Sequence, residues 1–113
     1  MTQPLSVLGD EEEIFRQSVR EFAQREIGPR VSRMESQGHY DPDLIPKLFE
    51  MGLMSIETPE ELGGAGGSFF MSVLAVEEIS RVDAAVGVLV DVQNTLFNNA
   101  LVRLGTEDRK SVV

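Results

Sequence analysis

The chain has 113 residues, 19 acids against 10 bases, one histidine and no cysteine. Disulfides and thiolate metal sites are therefore excluded, and a formal charge of −9 is a poor starting point for gripping nucleic acid or anionic lipid, which need a cationic face to displace counterions. The length fits one domain hiding roughly 65% of its unfolded surface around a single core, and no apolar run reaches the ~20 residues that span a bilayer.

Asp10 and Glu13 have the spacing of a capping box, with Asp standing in for Ser or Thr. Behind them Phe15, Val19, Phe22 and Ala23 recur at i, i+4, i+7 and i+8, one apolar stripe on a helix. The pattern predicts a helix over 11–27 that Gly28-Pro29 ends or bends. A weaker helical piece runs through "RVSRMES", and Gly38 breaks it. In "YDPDLIPKLFEMG" Asp43 is placed to cap a second clear helix, because Pro46 then falls in the first turn, where its missing N–H matters least. Leu44, Leu48 and Met51 share a face of that helix, and Gly52 stops it. "LMSIETPEELGG" reads as extended chain and turn, with Thr58 held out of helix by Pro59.

Ser68 is placed to cap the next helix, in which Phe69, Val73 and Val76, with Phe70 and Leu74 beside them, form a wide apolar face. Asp83 opens a further helix that runs to Leu104, where Gly105 ends it. Its first half, "AAVGVLVDV", is apolar nearly all round and predicts burial on most sides. The β-branched residues there would also suit a buried strand, and the length without turn signals favours helix. Thr106 caps a short last helix, "EDRK". Residues 1–113 therefore read as one all-α domain, an antiparallel bundle of four to five helices with no βαβ unit.

Few residues suggest chemistry. Gly63, Gly64, Gly66 and Gly67 resemble a phosphate-cradling loop, but no lysine follows the last of them and no strand precedes the first. Glu57, Glu60 and Glu61 stand just upstream and would repel a phosphate, so the loop reads as a flexible hinge reversing the chain between helices. Glu77 and Glu78 are adjacent and point about 100° apart on a helix, so they do not share one metal ion. The single histidine, His39, has no Glu three positions before it, and Glu78 with Arg81 reads as a surface or interface ion pair. Asp91 interrupts the most apolar helix. It is either a satisfied polar group fixing helix register or a residue lining a cavity, with Gly87 one turn earlier supplying space. His39-Tyr40 reads as loop punctuation, and Met51, Met54 and Met71 as core filler.

The order of the pieces "FRQSVREFAQREIGPR", "MGLMSIETPEELGGAGGSF", "VEEISRVDAAVGVLVDVQNTL" and "LGTEDRK" resembles the N-terminal helical domain of acyl-CoA dehydrogenases, from about Glu11 to Lys110. "DVQNTL" tilts the likeness toward the short/branched-chain members, and so toward fatty acid or branched-chain amino acid catabolism. The resemblance implies a flavoprotein oxidoreductase that passes an α-proton of acyl-CoA to a glutamate and the β-hydride to FAD. It also implies that the flavin and the catalytic glutamate belong to a β-domain and a C-terminal helical domain not contained in this sequence. This chain would then hold no catalytic residue, would not bind FAD alone, and would contribute the acyl-pocket positions Gly87, Val88, Asp91 and Thr95. After "EDRK" the family continues into another helix whereas this chain has "SVV", so the sequence reads as truncated. Two functions follow: the acyl-pocket domain of such an enzyme, inactive by itself, or a non-enzymatic helical interaction module. Acyl-CoA is the implied substrate of the whole enzyme, and apolar faces left open, particularly Val86 to Val92, predict self-association or contact with other subunits. "MTQPLSVLGDEEE" lacks the marks of a secretory or transit peptide, which predicts a bacterial cytoplasmic protein or one of the mitochondrial matrix after presequence removal.

Overall fold

The computed structural model describes residues 7–110; the "SVV" end on which the truncation reading rests lies outside them. Helix α1 (Asp10–Phe22) begins with four consecutive acids, Asp10 to Glu13, which suit the positive end of the helix dipole. Its cap is Gly9 rather than Asp10: the Gly9 N–H donates to Glu12 Oε1 at 2.9 Å. The expected pairing of Asp10 with Glu13 fails because Asp10 is already helical and Glu13 is bonded to Arg16, whose Nε lies 3.2 Å away.

Gly28-Pro29 bends the helix without ending it. From α1 the chain passes through a π-turn (Ala23–Ile27) and a 3-10 turn (Gly28–Arg30) into α2 (Val31–Gln37). Gly28 N–H reaches back five residues to the Ala23 carbonyl, and Val31 N–H only three, to Gly28. Pro29, which has no N–H, sits where the bonding pattern changes. Gly38 then ends α2 in the left-handed conformation, its N–H on the Met34 carbonyl at 2.9 Å.

The start of α3 (Leu44–Glu50) is fixed by Asp41, not by the expected Asp43. Asp43 is itself near-helical and makes no side-chain cap, whereas Asp41 Oδ1 accepts the Asp43 N–H and the Asp41 carbonyl accepts the Leu44 N–H, both at 3.0 Å. Leu44 and Leu48 are fully buried, but Met51, expected on the same face, is exposed.

Helix α4 (Phe69–Ser80) is capped as expected by Ser68, whose Oγ accepts the Met71 N–H at 3.2 Å. Its buried side meets the expected one only at Leu74. Ser72, Leu74, Ala75, Glu78 and Ile79 face inward, while Phe69 and Val73 are exposed. With apolar residues on nearly every side, the sequence leaves the choice of face to the neighbouring helices.

Asp83 caps α5 (Ala84–Asp91) through Val86 N–H at 3.2 Å. The helix continues through a second π-turn (Val92–Asn98) into α6 (Asn99–Leu104), and Thr106 then caps α7 (Glu107–Lys110). The first half, "AAVGVLVDV", was expected to be buried on most sides, yet only Val86, Gly87 and Val90 are buried there, followed by Asn94 and Asn98 in the π-turn. Val86, Val90, Asn94 and Asn98 recur every four residues. A spacing of four over-rotates by about 40° per turn on an α-helix, and the wider π-turn at 92–98 takes that drift back, so one row stays on the core.

Helix α4 packs against both α1 and α5. The core between them is built from Val19, Phe22, Ile27, Leu48, Ile79 and Val86, among others. Full burial of each such aliphatic side chain contributes about 1.5–3 kcal/mol. Among the described residues there is no strand. The molecule measures 41 × 40 × 18 Å, a slab about two helices thick.

Candidate functional site

The glycine-rich loop was read as a flexible hinge; the structure makes it a closed, hydrogen-bonded turn. Gly63 N–H donates to Glu60, Gly64 to Pro59, Ala65 to Ser55, Gly66 to Thr58 and Gly67 to Ile56, all between 2.7 and 3.1 Å. A phosphate cradle requires backbone N–H groups aimed outward, and here all five are used on the loop's own carbonyls. Gly64 is required by contact: a Cβ there would lie 2.1 Å from the Thr58 carbonyl oxygen. Gly63 is required by conformation, with φ of 88° and open space around it.

The segment preceding this loop is anchored to the long last helix by two buried asparagines that the sequence reading did not single out. Asn94 accepts the Ile56 N–H at 2.7 Å and donates to the Leu53 carbonyl at 2.7 Å. Asn98 donates to the Met54 carbonyl at 2.7 Å and accepts from Gln93. Their spacing of four from Val86 and Val90 was the signal available for finding them.

With that side of the helix held, Val88, Asp91 and Thr95 fall together on its outward side. Val88 is 59% exposed, Asp91 is exposed and Thr95 half-buried. The Thr95 hydroxyl donates to the Asp91 carbonyl at 2.8 Å, with Asp91 Oδ1 at 3.2 Å. Val92, Leu96 and Phe97 continue the face, Leu96 being 64% exposed. Asp91 is thus not the buried carboxylate that its apolar neighbours suggested. It sits beyond the edge of the buried set Val86, Gly87 and Val90, so it meets water and needs no internal partner. Gly87, the fourth expected site residue, is buried: a Cβ there would lie 2.1 Å from Ser80 Oγ. Its missing side chain lets α5 approach α4 rather than opening a cavity.

Glu78, expected at a surface or interface, is 1% exposed. Arg20 grips it with both prongs, Nε to Oε2 at 3.0 Å and Nη2 to Oε1 at 3.2 Å. Arg16 adds a bond at 3.3 Å, and the Arg81 guanidinium lies 3.6 Å away. Burial alone would raise the Glu78 carboxyl, but the Arg20 bonds and charge, then Arg81 and Arg16, hold it below the usual glutamate range. Asp41 is likewise buried and lies between Arg30 and Arg33. The Asp43 N–H is the largest cause of its lowered pKa, opposed by burial and reinforced by the two arginines. A carboxylate held strongly ionised is a weak base near neutral pH, so neither is suited to abstracting a proton. His39 bonds the neighbouring Tyr40 carbonyl at 2.9 Å. Among the described residues no group of three His, Asp or Glu is placed to hold a metal ion, and no helix is long and apolar enough to cross a membrane.

Comparison with known proteins gives a consistent set of relatives. The family model described as "Acyl-CoA dehydrogenase, N-terminal domain" matches residues 9–112. The short/branched chain specific acyl-CoA dehydrogenase of Bos taurus mitochondria is 43% identical over 108 residues, 96% of this chain and 25% of that protein. An acyl-CoA dehydrogenase of Bacillus subtilis (strain 168) is 40% identical over 100 residues, 88% of this chain and 26% of that one. Among solved structures, butyryl-CoA dehydrogenase from Megasphaera elsdenii superposes with a TM-score of 0.84 at 29% identity, covering 99% of this chain and 29% of the other. Glutaryl-CoA dehydrogenase from Mycobacterium smegmatis gives 0.85 at 31%, covering 95% and 28%. The chain thus spans about a quarter of the length of the curated relatives it matches.

Proposed function

Because the chain belongs to the acyl-CoA dehydrogenase family, we propose that it serves as the wall of an acyl pocket that further domains complete. In this reading Val88, Asp91 and Thr95, on the outward face of α5 and the π-turn, border the thioester's acyl chain in α,β-dehydrogenation of an acyl-CoA. Gly87 acts from behind, by setting how closely α5 lies on α4.

The observation that carries the proposal is the two-sidedness of that helix. Val86, Val90, Asn94 and Asn98 bind it to the rest of the domain, while the opposite side presents exposed Val88, Val92, Leu96 and Phe97 around a single carboxylate. A surface so apolar is stable only when something covers it, and a largely apolar wall with few polar groups is what an acyl chain requires.

FAD is the cofactor of the whole enzyme by family membership, and the residues present do not fit it. The N–H groups of the glycine loop are all internally bonded, and the buried carboxylates are tied to arginines. In this reading the isolated chain is colourless and has no dehydrogenase activity. The test is a chimera in which this chain replaces the matching segment of the Bacillus subtilis relative. Flavin retention and acyl-CoA turnover in the chimera, with neither in the chain alone, support the proposal. A folded but inactive chimera, or a chain that turns over acyl-CoA unaided, refutes it. In the first of those outcomes the same exposed apolar face would mark a non-enzymatic interaction module.

A further inference from the structure

A concavity of about 490 Å³ lies between α2 and the start of α5. Its apolar lining comes from Val31 and Met34 of α2 and Ala85 of α5, with Tyr40 as an aromatic wall. Tyr40 is fixed in that position, because its hydroxyl donates to the Ala85 carbonyl at 2.7 Å. Burial, then the charge of Asp83, raises the pKa of this phenol, which keeps the wall neutral.

The carboxylates lining the concavity are Glu35 and Asp83; His39, whose Nδ1 lies 2.9 Å from the Tyr40 carbonyl, also lines it, and no lysine or arginine does. Elsewhere the buried carboxylates of this protein are matched by guanidinium groups, as at Glu78 and Asp41. Here they are not. Glu35 takes part in no hydrogen bond or ion pair among the described residues, and Asp83 uses only Oδ2, on the Val86 N–H at 3.2 Å. Two uncompensated carboxylates over an apolar floor, beside an aromatic ring, are complementary to a positive nitrogen on an apolar body. We propose that this concavity binds a small organic cation, an ammonium group carried on an aromatic or aliphatic frame. The ammonium pairs with Glu35 and Asp83 Oδ1 at the rim, and the frame lies against Met34, Ala85 and the Tyr40 ring. None of Val88, Asp91 and Thr95 lines this site, so its test does not depend on the acyl-pocket reading.

The test is an amide-resolved NMR titration of the chain with phenethylammonium, and in parallel with phenethyl alcohol as neutral isostere and hydrocinnamate as anion. The expected result is saturable shifts confined to the neighbourhood of Met34, Gly38, Tyr40 and Ala85, with the cation binding about tenfold more tightly than the alcohol and the anion not binding. Glu35→Gln, at an exposed and unpaired position, should weaken the cation about threefold, and adding Asp83→Asn, which keeps a capping side chain, should remove the preference over the alcohol. Equal binding of cation and alcohol, no effect of Glu35→Gln, or shifts centred on Val88–Leu96 would each overturn the proposal. Tighter binding of an acetyl-lysine amide bearing a free ε-ammonium than of phenethylammonium would also overturn it, in favour of a partner's lysine side chain.

Discussion

At Glu78 a single carboxylate holds together three arginines from two helices, Arg16 and Arg20 on α1 and Arg81 at the end of α4. Replacing it by Gln keeps the volume but removes the charge that those guanidinium groups share. They are partly open to water and can resolvate, so the cost expected is about 2 kcal/mol, read as a lower urea midpoint with unchanged slope. Acid should act through the same group. Glu78 and Asp41 both have lowered pKa values in the folded state, so the stability they contribute is complete above the ordinary carboxylate range and is lost as the pH falls through it toward those lowered values. Wild type should therefore weaken steadily below about pH 5, and Glu78→Gln should show a shallower decline. An identical decline in both would locate acid sensitivity elsewhere. Asn94→Ala strands the buried Ile56 N–H and the Leu53 carbonyl, at a cost of about 2–3 kcal/mol in the same assay. The sequence made Glu78–Arg81 visible as neighbours on one helix. It could not make Arg16 and Arg20 visible, because they lie 62 and 58 residues away and meet Glu78 only after α1 and α4 have packed.

Along single elements the reading succeeded where local chemistry dictates structure and failed where packing does. Ser68, Asp83 and Thr106 cap the helices they were expected to cap, since capping depends on a few consecutive residues. Asp43 lost that role to Asp41, which Arg30 of the 3-10 turn and Arg33 of α2 hold in place. The inward faces of α4 and α5 were not legible, because a helix apolar on most sides fits its partners in several rotations. Neither π-turn was expected: one takes up a proline and the other keeps a four-residue repeat on the core. The glycine turn supplies the sharpest test at this scale. Gly63→Ala meets open space and only a left-handed φ, for an expected cost of about 1 kcal/mol. Gly64→Ala, one residue on, must push a Cβ into the Thr58 backbone and should cost about 3 kcal/mol or more. Equal costs in thermal or urea unfolding would mean that the turn is a loose hinge after all.

As a whole molecule the chain is a slab 18 Å thick, and that dimension explains why so many large apolar side chains remain outside. Two layers of helix have one interface between them, so every apolar residue facing away from it meets water, Phe69 and Val73 on α4 and Val88, Leu96 and Phe97 further along. At micromolar concentration the purified chain should self-associate in sedimentation velocity and enhance the fluorescence of an apolar dye, despite its charge of −9. A monomer without dye enhancement would show that the outward side chains are too scattered to form a patch. The family itself was legible from the order of short motifs along the chain, whereas the acyl-pocket role proposed for the outward face rests on family resemblance and not on a packing pattern. The most direct test of that role is the acyl chain-length profile of the chimera with the Bacillus subtilis relative, before and after Val88→Phe. Val88 is 59% exposed in this chain, so the substitution should leave folding and flavin content intact. If this face borders the acyl chain, the larger ring should lower kcat/KM for the longest accepted acyl-CoA by about tenfold or more, while sparing the shortest. An unchanged profile in a folded, flavin-loaded chimera would contradict the assignment.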